Sequence, residues 1–313
     1  MRPKDRKLAA SLDKKLQAFS ATVRAMPGIN NATHRAVLIE QILESIHRVD
    51  YIGAIKTRSI APDRANPSSQ LFDPLKAAII HYRAGNVDEA FWLVFLATHF
   101  GRHLDDKWQL VRDIYGALGT TPWTWGKTSG SPAAFTQWLA NNLHTLQNDG
   151  ISRRFGGHRP YESLEESQHN RGTPAAIESY VTWVGANRGH QMLIDEATNQ
   201  VGSDPKILFS YLYKRTKISS FGRLAKFDYL TMLGKLGFAP IEPGSPYLQG
   251  ATGPLRGARL LFTGSTTDDS VATKILDKLV IDLGATLNVG MQVMEDSLCN
   301  WQKSPGKFFA YRG

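Results

Sequence analysis

Cysteine is almost absent: Cys299 is the only one in 313 residues. That excludes an internal disulfide, a thiolate zinc knuckle and a four-cysteine iron–sulfur cluster, and makes a reducing cytoplasm the expected compartment. Long apolar runs are missing as well. The longest, Phe91 to Ala97, is far short of the ~20 residues that cross a bilayer. Met1 to Lys15 is rich in Lys, Arg and Asp and lacks the apolar centre of a signal peptide. A soluble protein with no membrane partner is expected. Alternating strand patterns are poor throughout, and there is no internal repeat, low-complexity tract or clear linker. Negative charge is in deficit: 28 acidic side chains face 37 Lys and Arg, for a net charge of +9. A basic balance of that size favours a polyanionic partner, nucleic acid or an anionic surface. At 42% hydrophobic residues the composition is that of a globular chain able to bury a substantial core, as one large domain or two.

What is present is helical periodicity. Residues 7–25 and 33–48 read as amphipathic helices, the second carrying Val37, Ile39, Ile42, Leu43 and Ile46 on its apolar stripe. Tyr51 to Asn66 reads as more irregular. Asp73-Pro74, Ser131-Pro132, Thr173-Pro174 and Asp204-Pro205 each open a helix with proline in its first turn. Asn86 is expected to cap the next helix with Glu89 as capping partner. That helix, Asp88 to Phe100, is the most hydrophobic and is expected at the centre of the bundle. Val271 to Leu283 reads as amphipathic, and Gly284 and Gly290 as framing a turn into the last helix.

Four stretches carry chemistry. His99 and His103 stand four apart with Asp105 and Asp106 beyond, a spacing open to metal ligation, to helix-terminal capping or to lining a pocket; Gly101 between them is expected to end the helix, which disfavours a metal. Arg153-Arg-Phe-Gly-Gly-His-Arg-Pro-Tyr-Glu162 collects three arginines, His158, Tyr161 and two glycines in a segment without period. It suits phosphate contact or a solvated loop. Ile218-Ser-Ser-Phe-Gly-Arg223 turns into a helix bearing Leu224, Lys226 and Asp228. Finally, Met291 to Pro305 holds Glu295, Asp296, Cys299, Trp301 and Lys303. Read as a helix it is polar over much of its circumference, either as a solvated face with a small buried cysteine or as a carboxylate and lysine cluster lining a pocket.

The Glu-Asp-x-Leu-Cys-x-x-x-Lys pattern at 295–303 resembles the C-terminal signature of the alpha-glutamyl/putrescinyl-thymine pyrophosphorylase family, third clade. Phe-Gly-x-His-x-x-Tyr-Glu at 155–162 is similar to another of its motifs, and the likeness runs from about Arg35 onward. The resemblance implies an all-α helical bundle like that of the helix-hairpin-helix DNA glycosylases, with a hairpin at 218–234. It implies work on hypermodified bases of phage DNA. The expectation is a DNA glycosylase that flips out a hypermodified pyrimidine, for example a glucosylated hydroxymethyl one, and hydrolyses its N-glycosidic bond in anti-phage defence. A transferase attaching an amine or amino acid to an activated hydroxymethylpyrimidine with pyrophosphate release is the alternative, and a DNA-binding module without chemistry the third reading. Bifunctional glycosylases carry a lysine where this chain has Leu224, so base removal is expected to be monofunctional. Their usual acid is also missing, since Tyr247 to Arg259 contains no carboxylate.

Catalytic candidates are therefore Glu295, Asp296, Asp228 and His158. Candidates for contacts to substrate or DNA are His99, Arg153, Arg159, Tyr161, Arg223, Lys226, Arg256, Arg259, Trp301 and Lys303. Together with Arg154, the loop and hairpin cations are expected to form one basic surface with Arg256 and Arg259. No cofactor and no metal are expected, and the partner is double-stranded DNA met by a monomer. Residues 1–70 are expected as an N-terminal helical extension and 71–313 as the glycosylase-like catalytic domain, unless the two form one continuous domain.

Overall fold

The computed structural model describes residues 3–159, 161–165 and 171–310. Among these the chain forms fourteen α-helices and no strand. They are α1 (Arg6–Thr22), α2 (Ala32–Thr57), α3 (Pro74–Arg83), α4 (Val87–Phe100), α5 (Gln109–Tyr115), α6 (Trp125–Gly130) and α7 (Pro132–Asn148). Then follow α8 (Thr173–Val184), α9 (Gly189–Val201), α10 (Pro205–Arg215), α11 (Arg223–Leu236), α12 (Gly253–Thr263), α13 (Thr273–Leu287) and α14 (Met291–Trp301). No helix among the described residues is long and apolar enough to cross a membrane.

Several helix starts follow their capping chemistry. The Asp73 carboxylate accepts the N–H groups of Leu75 and Lys76, both at 3.2 Å. Asp204 accepts those of Lys206 and Ile207, both at 2.9 Å, so each acid satisfies two orphan donors of a proline-led first turn. Other ends depart from expectation. Helix α2 runs on to Thr57 because Val49–Thr57 contains no proline and half-buried Ile52 and Ile55 extend its apolar stripe. Asn86 makes no side-chain cap. Glu89 instead accepts the Tyr115 hydroxyl at 2.7 Å and the Trp125 N–H at 2.8 Å, tying the start of α6 and the end of α5 to α4. Gly284 lies inside α13 and not in a turn. Asn288 makes that turn in the left-handed region (φ 59°), a conformation its short polar side chain tolerates.

The chain divides into two compact units, Met1–Gly53 with Pro243–Arg312, and Ala54–Glu242. This is not the expected division at residue 70. Leu12, Leu16 and Phe19 of α1 and Val37 to Leu43 of α2 are buried in one cluster with Leu261, Leu276, Leu283, Leu298 and Trp301, so the N-terminal helices complete the core of the C-terminal ones. Within this first unit α12 packs on α14 and α1 on α13. Gly257 permits the first contact: a Cβ there would lie 2.3 Å from the Leu298 carbonyl oxygen.

The second unit is built around α4, whose residues from Ala90 to Ala97 are all buried, as its composition predicts. Helices α3, α5, α6, α9 and α11 pack against it. A polar chain enters this core from half-exposed Asp88. His190 Nδ1 lies 2.7 Å from Asp88, His190 Nε2 2.7 Å from the Tyr180 hydroxyl, and that hydroxyl 2.9 Å from Tyr229's. Burial holds the His190 pKa down, against the effect of Asp88, so the imidazole is neutral. With Nδ1–H donating to Asp88, Nε2 accepts from Tyr180, which in turn accepts from Tyr229. Every member has a partner, which is the condition for keeping such a network buried.

Candidate active site

In the second unit, α4 ends at Gly101 (φ 67°), and the loop at 150–163 is laid directly across that end. Gly156 N–H donates to the Phe100 carbonyl at 2.8 Å. A Cβ on Gly156 would come within 2.7 Å of the Gly101 carbonyl carbon and the Arg102 nitrogen, so the close approach requires glycine. The consequence is positional: His158 and Arg159 are carried onto the last turn of α4.

Arg159 is 7% exposed. Its Nε donates to the Thr98 carbonyl at 2.8 Å, Nη1 to the His158 carbonyl at 3.0 Å and Nη2 to the Asp228 carboxylate at 3.1 Å. A cation at a helix C-terminus is favoured by the unsatisfied carbonyls there, and here it also aims an acid. Asp228 stands on α11 with its side chain 41% exposed, open to a substrate while its orientation is set from behind. His158 and Tyr161 are exposed on either side of Arg159 along the loop.

His99 is buried behind this pair. The Thr173 hydroxyl donates to the Ser163 carbonyl at 2.8 Å, so its oxygen accepts from His99 Nε2–H at 3.0 Å. Burial, assisted by the Arg159 charge, brings the His99 pKa down to about 3. The imidazole therefore stays neutral, enclosed by Phe95, Phe155 and Phe221. His103 is separately occupied, its Nδ1 accepting the N–H groups of Asp105 and Asp106, both at 3.2 Å. The two histidines form no common site.

The predicted hairpin is α10, the turn Thr216–Gly222 and α11, with Gly222 at the N-cap. Arg223 lies over the Phe227 ring, 4.9 Å from its centroid. Lys226 is half-buried, and burial lowers its pKa. Ser220 in the turn has φ 62°, a region that residues other than glycine rarely enter. Its hydroxyl accepts the Gly172 N–H at 3.2 Å. Glu162 is half-buried, and that burial raises its pKa.

Two loop arginines behave otherwise than expected. The Arg153 side chain is 2% exposed and clamped between Asp113 (2.5 Å) and Asp149 (2.6 Å), which holds the loop in place and leaves it no face for a phosphate. Arg154 is exposed but paired with Asp106 at 2.8 Å and Asp105 at 3.3 Å.

The remaining candidates, Arg256, Arg259, Glu295, Asp296, Trp301 and Lys303, belong to the first unit. Helix α14 is a core helix despite its polarity. Trp301 is fully buried, with Nε1 donating to the His34 carbonyl at 3.0 Å, so it offers no ring for base stacking. Glu295 is buried. Asp296 pairs with Arg48 of α2 and accepts from Asn300 at 2.9 Å. Lys303 is exposed and donates to Asn300 at 3.1 Å. Cys299 packs against Gly253, where a Cβ would lie 2.5 Å from the sulfur. Arg256 is exposed and Arg259 half-buried. Sequence reasoning singled out neither Glu162 as a site residue nor Ser220. The second has no sequence signal, since a serine's left-handed backbone is invisible until the turn is built.

The family model for alpha-glutamyl/putrescinyl thymine pyrophosphorylase, clade 3, matches residues 33–313. The chain belongs to that family. No curated protein and no solved structure gives a significant match. Both the loop that carries Arg159 and the helix that carries Glu295 and Asp296 fall inside the clade 3 span. The clade's name describes an enzyme acting on modified thymine.

Proposed function

We propose that the protein is a DNA glycosylase that removes a hypermodified pyrimidine, leaving an abasic site, with Asp228 as its working carboxylate. The observation that carries this reading is the Arg159–Asp228 pair, a half-exposed acid on the second helix of the hairpin held at 3.1 Å by a buried guanidinium. Breaking an N-glycosidic bond builds positive charge on the sugar, and a fixed carboxylate beside that carbon stabilises it and orients the attacking water. The base must first leave the duplex. The +9 charge of the chain favours the DNA that presents it. Glu295 and Asp296 serve less well, the first being buried and the second engaged by Arg48 and Asn300.

Leu224 stands at the position of the hairpin lysine, so water attacks directly and no lysine adduct forms. Lys226, its amine made more readily neutral by burial, is the one neighbour whose nucleophilicity makes this worth testing. The family's name favours a second reading, transfer of an amine onto an activated hydroxymethylpyrimidine with loss of pyrophosphate. Asp228 would then accept the proton of the attacking amine.

One experiment separates the two. DNA carrying glucosylated hydroxymethylcytosine and DNA carrying the pyrophosphate ester of hydroxymethyluracil are each incubated with the chain, with putrescine and glutamate present, and with borohydride in parallel. Free modified base, alkali-labile strands and no borohydride adduct support hydrolysis. Pyrophosphate release with a gain of mass in the DNA overturns it in favour of transfer.

A further inference from the structure

We propose that Tyr161 is the residue that enters the duplex and fills the place vacated by the extruded base. This rests on the reading of the protein as an enzyme that takes a modified base out of DNA. Tyr161 is 94% exposed, whereas the next most exposed large apolar side chain among the described residues, Val23, is 58% exposed. An aromatic ring left in water forgoes the burial that ordinarily holds it in place. A ring so placed is available to pack against another molecule.

The backbone beneath the ring is anchored. Arg159 N–H donates to the Gly156 carbonyl at 2.7 Å, and Glu162 N–H to the Arg159 carbonyl at 3.2 Å, closing a turn whose third residue is Tyr161. Ahead of the ring, the Arg159 side chain fastens the turn to the Thr98 carbonyl of α4 and to Asp228 of α11. Behind it, the Ser163 carbonyl accepts both the N–H and the hydroxyl of Thr173 at the start of α8, each at 2.8 Å, and Leu164 is buried. A turn already fixed loses little freedom when its side chain is gripped, so a contact made by the ring keeps most of its free energy.

The same turn sets where the ring stands. Only Pro160 separates Tyr161 from Arg159 in the chain, and two residues span at most about 7 Å. Arg159 holds the Asp228 carboxylate at 3.1 Å, so the exposed ring and the half-exposed acid belong to one locality of the second unit.

A tyrosine here has two ways to stack on DNA: lining the pocket that receives the extruded base, or replacing that base in the helix. A pocket encloses the base it reads, so its wall residues are covered by their neighbours. Tyr161 is a protrusion and not a wall. Extrusion leaves a gap one base thick between two flat apolar faces, and side chains inserted between base steps hold a duplex open at such places. Stacking in the gap tolerates any flanking sequence, since every base has a π-face.

The test uses the full chain and two duplexes of one sequence, one intact with cytosine at the target position, the other with a tetrahydrofuran abasic analogue there. Affinity for each is measured by fluorescence anisotropy for wild type, Tyr161→Phe and Tyr161→Ala, with melting temperatures on the same samples. Wild type is expected to prefer the abasic duplex, where the gap already exists. Tyr161→Ala is expected to bind that duplex about 5–150-fold more weakly, the effect of losing one base–aromatic stack, while its affinity for the intact duplex and its melting temperature hold. Tyr161→Phe keeps the ring and should keep the preference; a merely structural residue would not show this pattern. An equal loss on both duplexes marks an ordinary backbone contact and overturns the proposal, as does an unchanged preference in Tyr161→Ala or no preference in wild type. Neither duplex offers a modified base to cut, so the outcome is independent of hydrolysis. A Tyr161-dependent preference in a chain that releases no glucosylated hydroxymethylcytosine overturns the hydrolytic reading and leaves this one standing.

Discussion

Replacing Tyr180 with phenylalanine tests the polar chain that runs from Asp88 to Tyr229. The Tyr180 hydroxyl donates to His190 Nε2 at 2.7 Å and accepts from the Tyr229 hydroxyl at 2.9 Å. Its ring stacks on Phe95 with centroids 3.8 Å apart, and phenylalanine preserves that contact. The variant therefore removes one oxygen and leaves two buried groups without partners, the His190 lone pair and the Tyr229 O–H. Each orphan costs about 1–3 kcal/mol, so Tyr180→Phe is expected to lower stability by about 2–6 kcal/mol. Tyr229→Phe removes only the donor at the end of the chain and orphans no donor, so it should cost about 0.5–1.5 kcal/mol. The assay is chemical denaturation followed by tryptophan fluorescence, since Trp92, Trp125 and Trp183 all lie within about 6 Å of the Tyr180 ring. Because Asp228 is not in this network, folded Tyr180→Phe should keep wild-type base release at low temperature. A Tyr229→Phe cost equal to or above that of Tyr180→Phe would refute the donor order assigned here.

Three further outcomes are expected. His99 has a folded pKa of about 3 against 6.5 unfolded, so the unfolded chain takes up a proton that the folded chain refuses as pH falls below 6.5. Stability should drop by about 1.4 kcal/mol per pH unit over that window from this residue, and denaturation of His99→Asn at pH 6.5 and 4.5 should show a correspondingly shallower slope. Gly257→Ala drives a methyl to 2.3 Å from the Leu298 carbonyl oxygen, so calorimetry should show a loss of about 1–3 kcal/mol from overpacking. Asp296→Asn loosens α14 from Arg48 and should lower the melting temperature while base release survives; abolished release in a folded Asp296→Asn chain would move the chemistry to α14.

The helices and their proline-led starts were legible in the sequence because 3.6-residue periodicity and Asp-Pro caps act locally. The central place of α4 was legible too, since a helix apolar all round has nowhere else to go. The pairing of N-terminal with C-terminal helices was not, because burial of Leu12 or Phe19 against Leu283 carries no local mark. The polarity of α14 pointed to a pocket, yet Asp296 is met by an arginine some 250 positions earlier in the chain, Arg48, and Trp301 by a backbone carbonyl. Of the site candidates, Arg159 bonds the Asp228 carboxylate and the His158 backbone carbonyl, a link that the spacing could not show. The burial of the Arg153 side chain between Asp113 and Asp149 has no mark in the sequence, because a loop arginine beside glycines looks the same whether it faces phosphate or two aspartates.

Asp228 carries the proposed chemistry most directly. Single-turnover base release should be measured for wild type and Asp228→Asn on DNA carrying glucosylated hydroxymethylcytosine, with binding and melting temperature measured on the same samples. Asparagine keeps the volume, and Arg159 retains the Thr98 and His158 carbonyls as partners, so the variant should fold and bind DNA as before. The expected result is release of free modified base by wild type and a loss of about 10²-fold or more in the variant. Undiminished release by Asp228→Asn, or wild-type conversion of DNA without any free base, would contradict the account.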